Sequence, residues 1–265
     1  MNYDLVLCGV GGQGVLSIAW VADHAAHDAG LYLKQSEVHG MAQRGGAVSA
    51  FVRISDNPVA SDLIADGTAG MILSVEPLEA LRYAKLLRPD GWIVCDVTPM
   101  VNIDNYPDLA LLYRVLFGVP NLVAIDATRL AQKAGTPKAQ NMVVLGAASP
   151  HLPLPAELLE KQLRELFEPK GERVVRANID AFRSGAAASV FSDALVVAGV
   201  LPGIAARVTS RFAFHPAPVD GGVVDAWRER LRAPDGAVIA QQLFDAGKPV
   251  APADVPALRG QAAAA

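Results

Sequence analysis

The chain opens with a short apolar strand, a glycine-rich turn and a helix, and this order limits the fold more than any other feature. Tyr3–Cys8 is rich in strand-forming residues, and the run Gly9-Val10-Gly11-Gly12-Gln13-Gly14 follows it directly. From Val15 to Ala26, apolar residues recur at helical spacing. A strand, a tight turn and a helix in this order predict the first unit of an α/β fold.

The glycines of this turn have separate predicted roles. Gly9 is expected to take backbone angles that are closed to other residues, Gly11 to let a ligand approach the main chain, and Gly14 to let the helix pack close to the sheet. The unpaired N–H groups of the first helical turn would then point at an anion. The alternative is a tight turn in which the glycines serve packing alone.

The residue that would confirm a dinucleotide site is missing. Such a site needs an acidic residue roughly 20 positions further on, at the end of the second strand, to hold the ribose hydroxyls. The second strand is predicted over Leu31–Ser36, with Lys34 near its end, and Glu37 comes too late and is expected in the following loop. The pattern therefore disfavours NAD or FAD as a ligand.

A second polar run, Glu37-Val38-His39-Gly40-Met41-Ala42-Gln43-Arg44-Gly45-Gly46, is expected to form that loop. Arg44 offers a planar fork of donors that suits a carboxylate or a phosphate. His39 and Glu37 could take part in proton transfer or in hydrogen bonds at an interface. A plainer interpretation is that Glu37 and Arg44 pair with each other and fix the loop.

Further strand-like runs alternate with helical stretches along the chain. The runs are Ala47–Ile54, Gly70–Val75, Trp92–Asp96 and Asn121–Asp126, and a helix is expected from Pro77 to about Leu87. Strands that are apolar on both faces indicate a parallel sheet with helices on both sides. We therefore predict an α/β Rossmann-like sandwich with a mostly parallel sheet, whose ligands bind at the carboxyl ends of the strands. Asp96 and Asp126 end two of these strands and could contact a substrate or cap the next helix.

Taken together, the runs GVGGQGV and SEVHGMAQRGG resemble the gamma-type domain of the 2-oxoacid:ferredoxin oxidoreductases, most closely the small, beta subunit of the indolepyruvate enzymes. Asn141–Ala147 is similar to the late helix of that family, and Asn178–Gly185 to its closing helix. The resemblance implies a gamma-type domain over residues 1–185. Residues 186–265 match nothing in the family and are expected to form a C-terminal extension, either an arm that packs on the domain or on a partner subunit, or a disordered tail. Within it, residues 226–232 are expected to form two helical turns with Trp227 and Leu231 on one face.

The resemblance also implies an activity and partners. Enzymes of this family decarboxylate a 2-oxoacid on thiamine diphosphate, pass electrons through iron-sulfur clusters to ferredoxin and release an acyl-CoA. The chain would be a small subunit, inactive alone, of an enzyme for indolepyruvate or another arylpyruvate. Its partners would be ferredoxin and a large alpha subunit that carries thiamine diphosphate, Mg²⁺ and the clusters, and coenzyme A would be a substrate.

The resemblance assigns site residues by position. The anion-receptive turn would consist of Gly9, Gly11, Gly12, Gln13 and Gly14, with Arg44 as the side chain for a phosphate or carboxylate. The loop at the subunit boundary would contain Glu37, His39, Gln43, Gly45 and Gly46. No catalytic residue and no metal ligand is assigned to this chain.

Composition excludes several classes of function. Of the 265 residues 52% are hydrophobic, which provides enough apolar material for a large core. The net charge of −4 and the lack of a basic stripe argue against nucleic-acid binding. Cys8 and Cys95 are the two cysteines, too few for an iron-sulfur cluster that is held by four thiolates. We expect neither a signal peptide nor a membrane span, and so a cytoplasmic protein.

Two other functions remain open at this point. A free-standing nucleotide-binding reductase would need the missing ribose-binding carboxylate and a catalytic residue of its own. A purely structural assembly subunit would use both glycine-rich runs for contacts between chains.

Overall fold

A computed structural model describes residues 1–39, 45–247 and 250–254, with only the backbone of His39. A six-stranded sheet forms its centre. The strands are β1 (Asn2–Val10), β2 (Tyr32–His39), β3 (Ala47–Ser55), β4 (Ala69–Ser74), β5 (Leu87–Asp96) and β6 (Leu122–Ile125). The helices are α1 (Val15–Asp28), α2 (Pro77–Arg82), α3 (Leu109–Leu116), α4 (Ala127–Lys133), α5 (Gln140–Ala148), α6 (Ala156–Phe167), α7 (Glu172–Val197), α8 (Pro202–Thr209), α9 (Gly221–Arg232) and α10 (Gly236–Ala246).

The strands are ordered β2-β3-β1-β4-β5-β6 across the sheet. Strands β1, β4, β5 and β6 pair in parallel, whereas β3 runs antiparallel to both of its neighbours, β1 and β2. The predicted α/β fold with a mostly parallel sheet is confirmed. The antiparallel strand β3 begins directly after the second polar run in sequence.

The two faces of the sheet carry two apolar cores, because side chains alternate along each strand. On one face Leu5, Leu73 and Val94 pack under α1, α5, α6 and α7. On the other face Val6 and Ile93 pack with residues of α2, α3, α8 and α10. The strands β1, β4 and β6 are therefore buried on both sides, whereas Tyr32 and Val38 of the edge strand β2 stay exposed.

Some predicted boundaries are wrong. Glu37 and His39 lie in β2, opposite Ala50 and Val48 of β3, and not in a loop. The antiparallel partner extends the ladder past Ser36 and keeps these polar residues in extended conformation. The helix after Pro77 ends at Arg82 and a 3-10 turn follows, so that β5 begins at Leu87, where it pairs with Ala69 ahead of a register shift.

Helices α5 and α7 cross so closely that two glycines are required. A Cβ atom on Gly146 would lie 1.8 Å from the Phe182 oxygen, and one on Gly185 would lie 1.9 Å from the Val143 oxygen. These positions fall in the two stretches that resemble the late and closing helices of the family. The crossing fixes α5 and the start of α7 beside the amino end of α1.

Helix α7 continues beyond the family-like part of the chain. The predicted division at 185/186 falls inside this helix, and the division into two domains stays a prediction. The predicted helix over residues 226–232 is confirmed within α9, where Trp227 and Leu231 are both buried. The Trp227 ring N–H donates to the Pro252 oxygen over 2.6 Å. Within the described ranges, no helix combines the length and apolar character that crossing a bilayer requires.

Candidate functional site

The glycine turn joins β1 to α1 at the carboxyl edge of the sheet, but its glycines act differently from the prediction. The left-handed φ values belong to Gly12 (103°) and Gly14 (80°), whereas Gly9 lies in the strand. Gly9 is needed because a Cβ there would come within 2.3 Å of the Val75 side chain. A Cβ on Gly14 would come within 2.4 Å of the Asn141 amide nitrogen, so Gly14 makes room for α5 and not for the sheet.

Gln13 holds the turn in shape. Its side-chain oxygen accepts from the Val10 N–H over 2.7 Å, and its Nε2 donates to the Val75 oxygen over 2.9 Å. Both polar atoms are therefore used within the protein. Gln13 ties the end of β1 to the chain after β4 and positions the turn.

The glycine turn and the second polar run are joined through the backbone. The Gly11 N–H donates to the Gly46 oxygen over 2.8 Å, and the Gly45 N–H donates to the Gly11 oxygen over 3.3 Å. The Asn102 side chain donates to the Gly45 oxygen over 2.7 Å. The main chain of Gly11, which was expected to let a ligand approach, thus has both its N–H and its oxygen bonded within the protein. Gln43, Arg44 and the His39 side chain lie outside the described residues, so their site roles stay predictions.

Asn141 of α5 contacts this turn, and sequence reasoning did not assign it to the site. It is buried at the start of α5, and its Nδ2 donates to the Gly14 oxygen over 3.1 Å. Its side-chain oxygen is buried and has no hydrogen-bond partner among the described residues. Asn141 therefore fixes the entry to α1 and leaves one acceptor without a donor.

An open cleft of about 1020 Å³ extends from this turn towards α7. Its walls include Gly12, Gly14 and Ser17 on one side and the end of α6 and the start of α7 on the other. The first turn of α1 carries no acidic residue, and no side chain caps it. The positive end of the helix dipole therefore lies at the border of this cleft, where Ser17 forms part of the wall. The Ser17 N–H itself donates to the Gly14 oxygen over 3.1 Å.

The cleft is rich in positive charge although the chain is acidic overall. Lys138, Lys170, Arg173 and Arg176 line it, against the single carboxylate of Asp180. Arg176 and Asp180 approach to 3.9 Å. Among the described residues, Lys138 and Arg173 have no carboxylate within ion-pairing distance. The arrangement is suited to a ligand that carries several negative charges.

Sequence analysis missed this charge cluster because the helix crossing assembles it from separate parts of the chain. Lys138 precedes α5, and the other three cations lie around the start of α7. The one local signal was the spacing of three residues between Lys170, Arg173 and Arg176, which places cations on one side of a helix start.

The strand-end acids turn out to serve the fold. The Asp126 side chain caps α4 by accepting from the Arg129 N–H, and it lies within 3.4 Å of Arg211. The Asp96 side chain accepts from the Thr98 N–H over 2.9 Å and the Ala127 N–H over 3.2 Å. Burial raises the pKa of Asp96 to about 7. Capping of the next helix is confirmed for Asp126. It is wrong for Asp96, because the next helix, α3, is capped by Asp108, and Asp96 instead accepts from the Ala127 N–H at the start of α4.

Neither cysteine is placed for metal or redox chemistry. Cys8 and Cys95 are buried within the sheet, and burial raises the pKa of both thiols. Among the described His, Cys, Asp and Glu residues, no group of three or more is arranged to hold a metal ion.

Comparison with known proteins places this chain in a family. The family model described as pyruvate ferredoxin/flavodoxin oxidoreductase matches residues 4–188. The chain is 37% identical over 194 residues to indolepyruvate oxidoreductase subunit IorB of Archaeoglobus fulgidus, an alignment that covers 70% of this chain and 94% of the relative. The IorB subunit of Methanothermobacter thermautotrophicus is 36% identical over 201 residues, which cover 72% of this chain and the whole relative.

Solved structures agree with this assignment. The keto/oxoacid ferredoxin oxidoreductase gamma subunit of Geobacter sulfurreducens superimposes with a TM-score of 0.52 at 25% identity, over 70% of this chain and 94% of that subunit. The 2-oxoglutarate:ferredoxin oxidoreductase of Magnetococcus marinus, solved with coenzyme A and succinyl-CoA, shares the fold with a TM-score of 0.58 at 20% identity, over 75% of this chain and 37% of that one. The chain belongs to the pyruvate ferredoxin/flavodoxin oxidoreductase family, and its relatives are subunits of 2-oxoacid:ferredoxin oxidoreductases.

Proposed function

We propose that this chain is the small subunit of an oxidoreductase that converts indolepyruvate or another arylpyruvate to an acyl-CoA, with ferredoxin as the electron acceptor. The observation that carries the proposal is the basic cleft at the uncapped start of α1, in a chain whose relatives include IorB subunits. The arylpyruvate preference rests on the names of these relatives.

The cleft is proposed to bind the phosphate groups of coenzyme A. Lys138, Lys170 and Arg173 would hold them by charge, together with the positive end of the α1 dipole. The Asn141 oxygen could accept from a ligand hydroxyl or amide after a small rotation of its side chain. Gly12 and Gly14 would then keep side chains away from the ligand.

The redox chemistry is assigned to a partner. Two buried cysteines in this chain cannot supply the four thiolates that an iron-sulfur cluster usually needs. We therefore propose a large alpha subunit that holds thiamine diphosphate with Mg²⁺, together with the clusters that reduce ferredoxin. This chain would contribute the cleft and, through Arg44 and the neighbouring polar run, part of the boundary with that subunit.

Anaerobic purification of the tagged chain from its native host tests the complex. A large co-purifying subunit, a brown iron-sulfur absorption spectrum and acyl-CoA formation from arylpyruvates are the expected results. A colourless chain that purifies alone and binds a nucleotide would instead support a free-standing reductase.

The cleft has its own test in the purified complex. Replacing Lys170 and Arg173 together by Gln removes two cations, and at roughly 0.5–1.5 kcal/mol for each partly exposed contact we expect the KM for coenzyme A to rise about 5- to 150-fold. The KM for the oxoacid should stay unchanged. Arg164→Gln on the exposed side of α6 is the matched control. Equal KM values for coenzyme A in both variants would remove the cleft from the site.

A further inference from the structure

Strand β2 forms one edge of the sheet, and within residues 1–39, 45–247 and 250–254 no strand pairs with its outer side. The sheet ends at β2 on one side and at β6 on the other. Strand β6 has four residues and is contacted by α8, whereas β2 has eight residues and pairs with β3 in an unbroken register. It contains no proline, and no described strand lies beside its outer edge. Proteins usually blunt so long and regular an edge, so this one is a candidate for pairing with another strand.

The hydrogen bonds identify the groups that point outward. The Gly11 N–H donates to the Gly46 oxygen and the Asp56 N–H to the Met1 oxygen, so odd-numbered residues of β1 bond to even-numbered residues of β3. Odd-numbered residues of β3 must therefore bond to even-numbered residues of β2. The residues of β2 that turn their backbone N–H and C=O groups outward are Leu33, Gln35, Glu37 and His39.

We propose that β2 pairs with the β2 strand of a second copy of this chain, antiparallel across a two-fold axis, so that the two sheets become one. An isologous contact of this kind uses the same strand on both copies. Residues opposite each other in an antiparallel pair point to the same face of the sheet. The two-fold axis must therefore pass beside one residue of β2, and that residue lies opposite the same residue of the second copy.

Charge selects the register. An axis at Lys34 would set two ammonium groups opposite each other, and an axis at Glu37 would set two carboxylates opposite each other, both of which are unfavourable. An axis at Ser36 would place Lys34 opposite Val38. An axis at Gln35 avoids both pairs of like charge and sets Lys34 opposite Ser36, and Glu37 opposite Leu33, of the second copy.

The register centred on Gln35 also covers the exposed apolar side chains of the strand. Tyr32 and Val38 lie on the same face and are 52% and 59% exposed. In this register Tyr32 lies opposite Val38 of the second copy, and the pair occurs twice. Aromatic and β-branched side chains form favourable cross-strand pairs.

The interface is small, so we expect a weak dimer. A single pair of strands buries less than the roughly 1,200 Å² of a typical stable interface, which indicates a dissociation constant on the order of micromolar. The test is sedimentation velocity on the full-length chain alone, from about 1 to about 200 μM, to bracket that range. Reversible, concentration-dependent dimerisation is expected, and a monomer throughout the range would overturn the proposal.

A substitution at Gln35 tests the edge directly. Gln35→Pro removes an outward N–H that the sheet does not use, so it should keep the fold and weaken dimerisation at least about ten-fold. Gln35→Ala keeps the N–H and is the matched control, which should dimerise like the wild type. A dimer of undiminished strength in a folded Gln35→Pro variant would contradict the pairing.

Cysteine crosslinking tests the register without relying on the proline variant. The paired Cα atoms of Gln35 would lie about 5.5 Å apart, within disulfide range. Gln35→Cys should therefore form an interchain disulfide under mild oxidation, and Ser36→Cys should form far less. The natural Cys8 and Cys95 are buried and contribute little background. Stronger crosslinking at Ser36 than at Gln35 would overturn the proposed register.

Discussion

Replacing Gly146 by Ala tests the crossing of α5 and α7, on which the position of the cleft depends. The added Cβ would lie 1.8 Å from the Phe182 oxygen, and ordinary contact begins at 3.4 Å. The difference, 3.4 − 1.8, means that the helices must separate by about 1.6 Å. The obstacle is backbone, so no side chain can rotate away, and α5 is buried almost throughout its length.

The expected loss of stability follows from two opposing effects. Ala is favoured over Gly in a helix interior by about 1 kcal/mol. Overpacking of a well-filled core typically costs about 1–3 kcal/mol and occasionally more, and a clash between backbones belongs at the upper end of that range. We therefore expect a net loss of about 2 kcal/mol or more in the free energy of unfolding, a fall in Tm of roughly 4–8 °C for a chain of this size.

Urea denaturation measures this effect against a matched control. Gly221 begins α9, has negative φ, and a Cβ added there would meet nothing within 4 Å. Gly221→Ala should therefore leave stability unchanged or raise it slightly. If Gly146→Ala were as stable as Gly221→Ala, helix propensity alone would explain both variants and the close crossing would be refuted.

The double variant sharpens the test. Gly185 faces the Val143 oxygen at 1.9 Å across the same crossing. A separation of the helices that relieves the first clash also relieves most of the second. Gly146→Ala and Gly185→Ala combined should therefore cost clearly less than the sum of the single losses, since neighbouring sites are not additive. Strict additivity would show that the two glycines act at independent contacts.

Three further predictions concern single side chains. Gln13→Ala removes two hydrogen bonds and should lower the free energy of unfolding by about 1–2 kcal/mol in urea denaturation, whereas an unchanged midpoint would show that the turn holds its shape without them. The pKa of Asp96 is raised to about 7. Between about pH 4 and 7 the folded state therefore keeps a proton that the unfolded chain releases. The free energy of unfolding should fall by up to roughly 3 kcal/mol from pH 5 to pH 8. Asp96→Asn should make this pH dependence less steep. The raised pKa values of Asp23 and Asp193 act in the same direction and keep part of it. A pH profile that stays equally steep would exclude Asp96 as its source. Trp227→Phe leaves the Pro252 oxygen without its donor and should lower the free energy of unfolding by about 1–3 kcal/mol. Proteolysis near the C-terminus should also begin earlier, and protection equal to that of the wild type would contradict the prediction.

The strands were predictable because their apolar runs are short, separated and buried on both faces. Periodicity located the runs that became β1, β3, β4 and β6, and the glycine turn was found at its correct place. The direction of β3 was not predictable, since the same alternation suits a parallel or an antiparallel partner. Glu37 was misplaced for a related reason, because the backbone partner that extended β2 is invisible in its own sequence.

The place of the glycine turn was predictable from the sequence, but the roles of its residues were not. The motif identified the turn, yet the roles of Gly9, Gly14 and Gln13 depend on Val75 and Asn141, which lie far along the chain. Conformational freedom and close approach both select glycine, and the sequence alone does not distinguish them. The basic cleft required the crossing of α5 and α7, which no local pattern encodes.

The C-terminal segment accounts for the greater length of this chain relative to the IorB subunits, and it packs on the family fold. The family match ends at residue 188, and IorB subunits are covered over 94–100% of their own length while they cover 70–72% of this chain. In this chain, Ala206 of α8 and Phe244 of α10 pack on the second face of the sheet, against Phe117 and Leu122. Phe244 meets Phe117 edge to face at 5.0 Å, and Arg211 reaches back to the Asp126 cap of α4. The added helices thus cover the apolar sheet face near β5 and β6. In a chain that ended at α7, these helices would not shield that face from water. Their packing, and not a second glycine-rich or charged motif, is what ties the segment to the family fold.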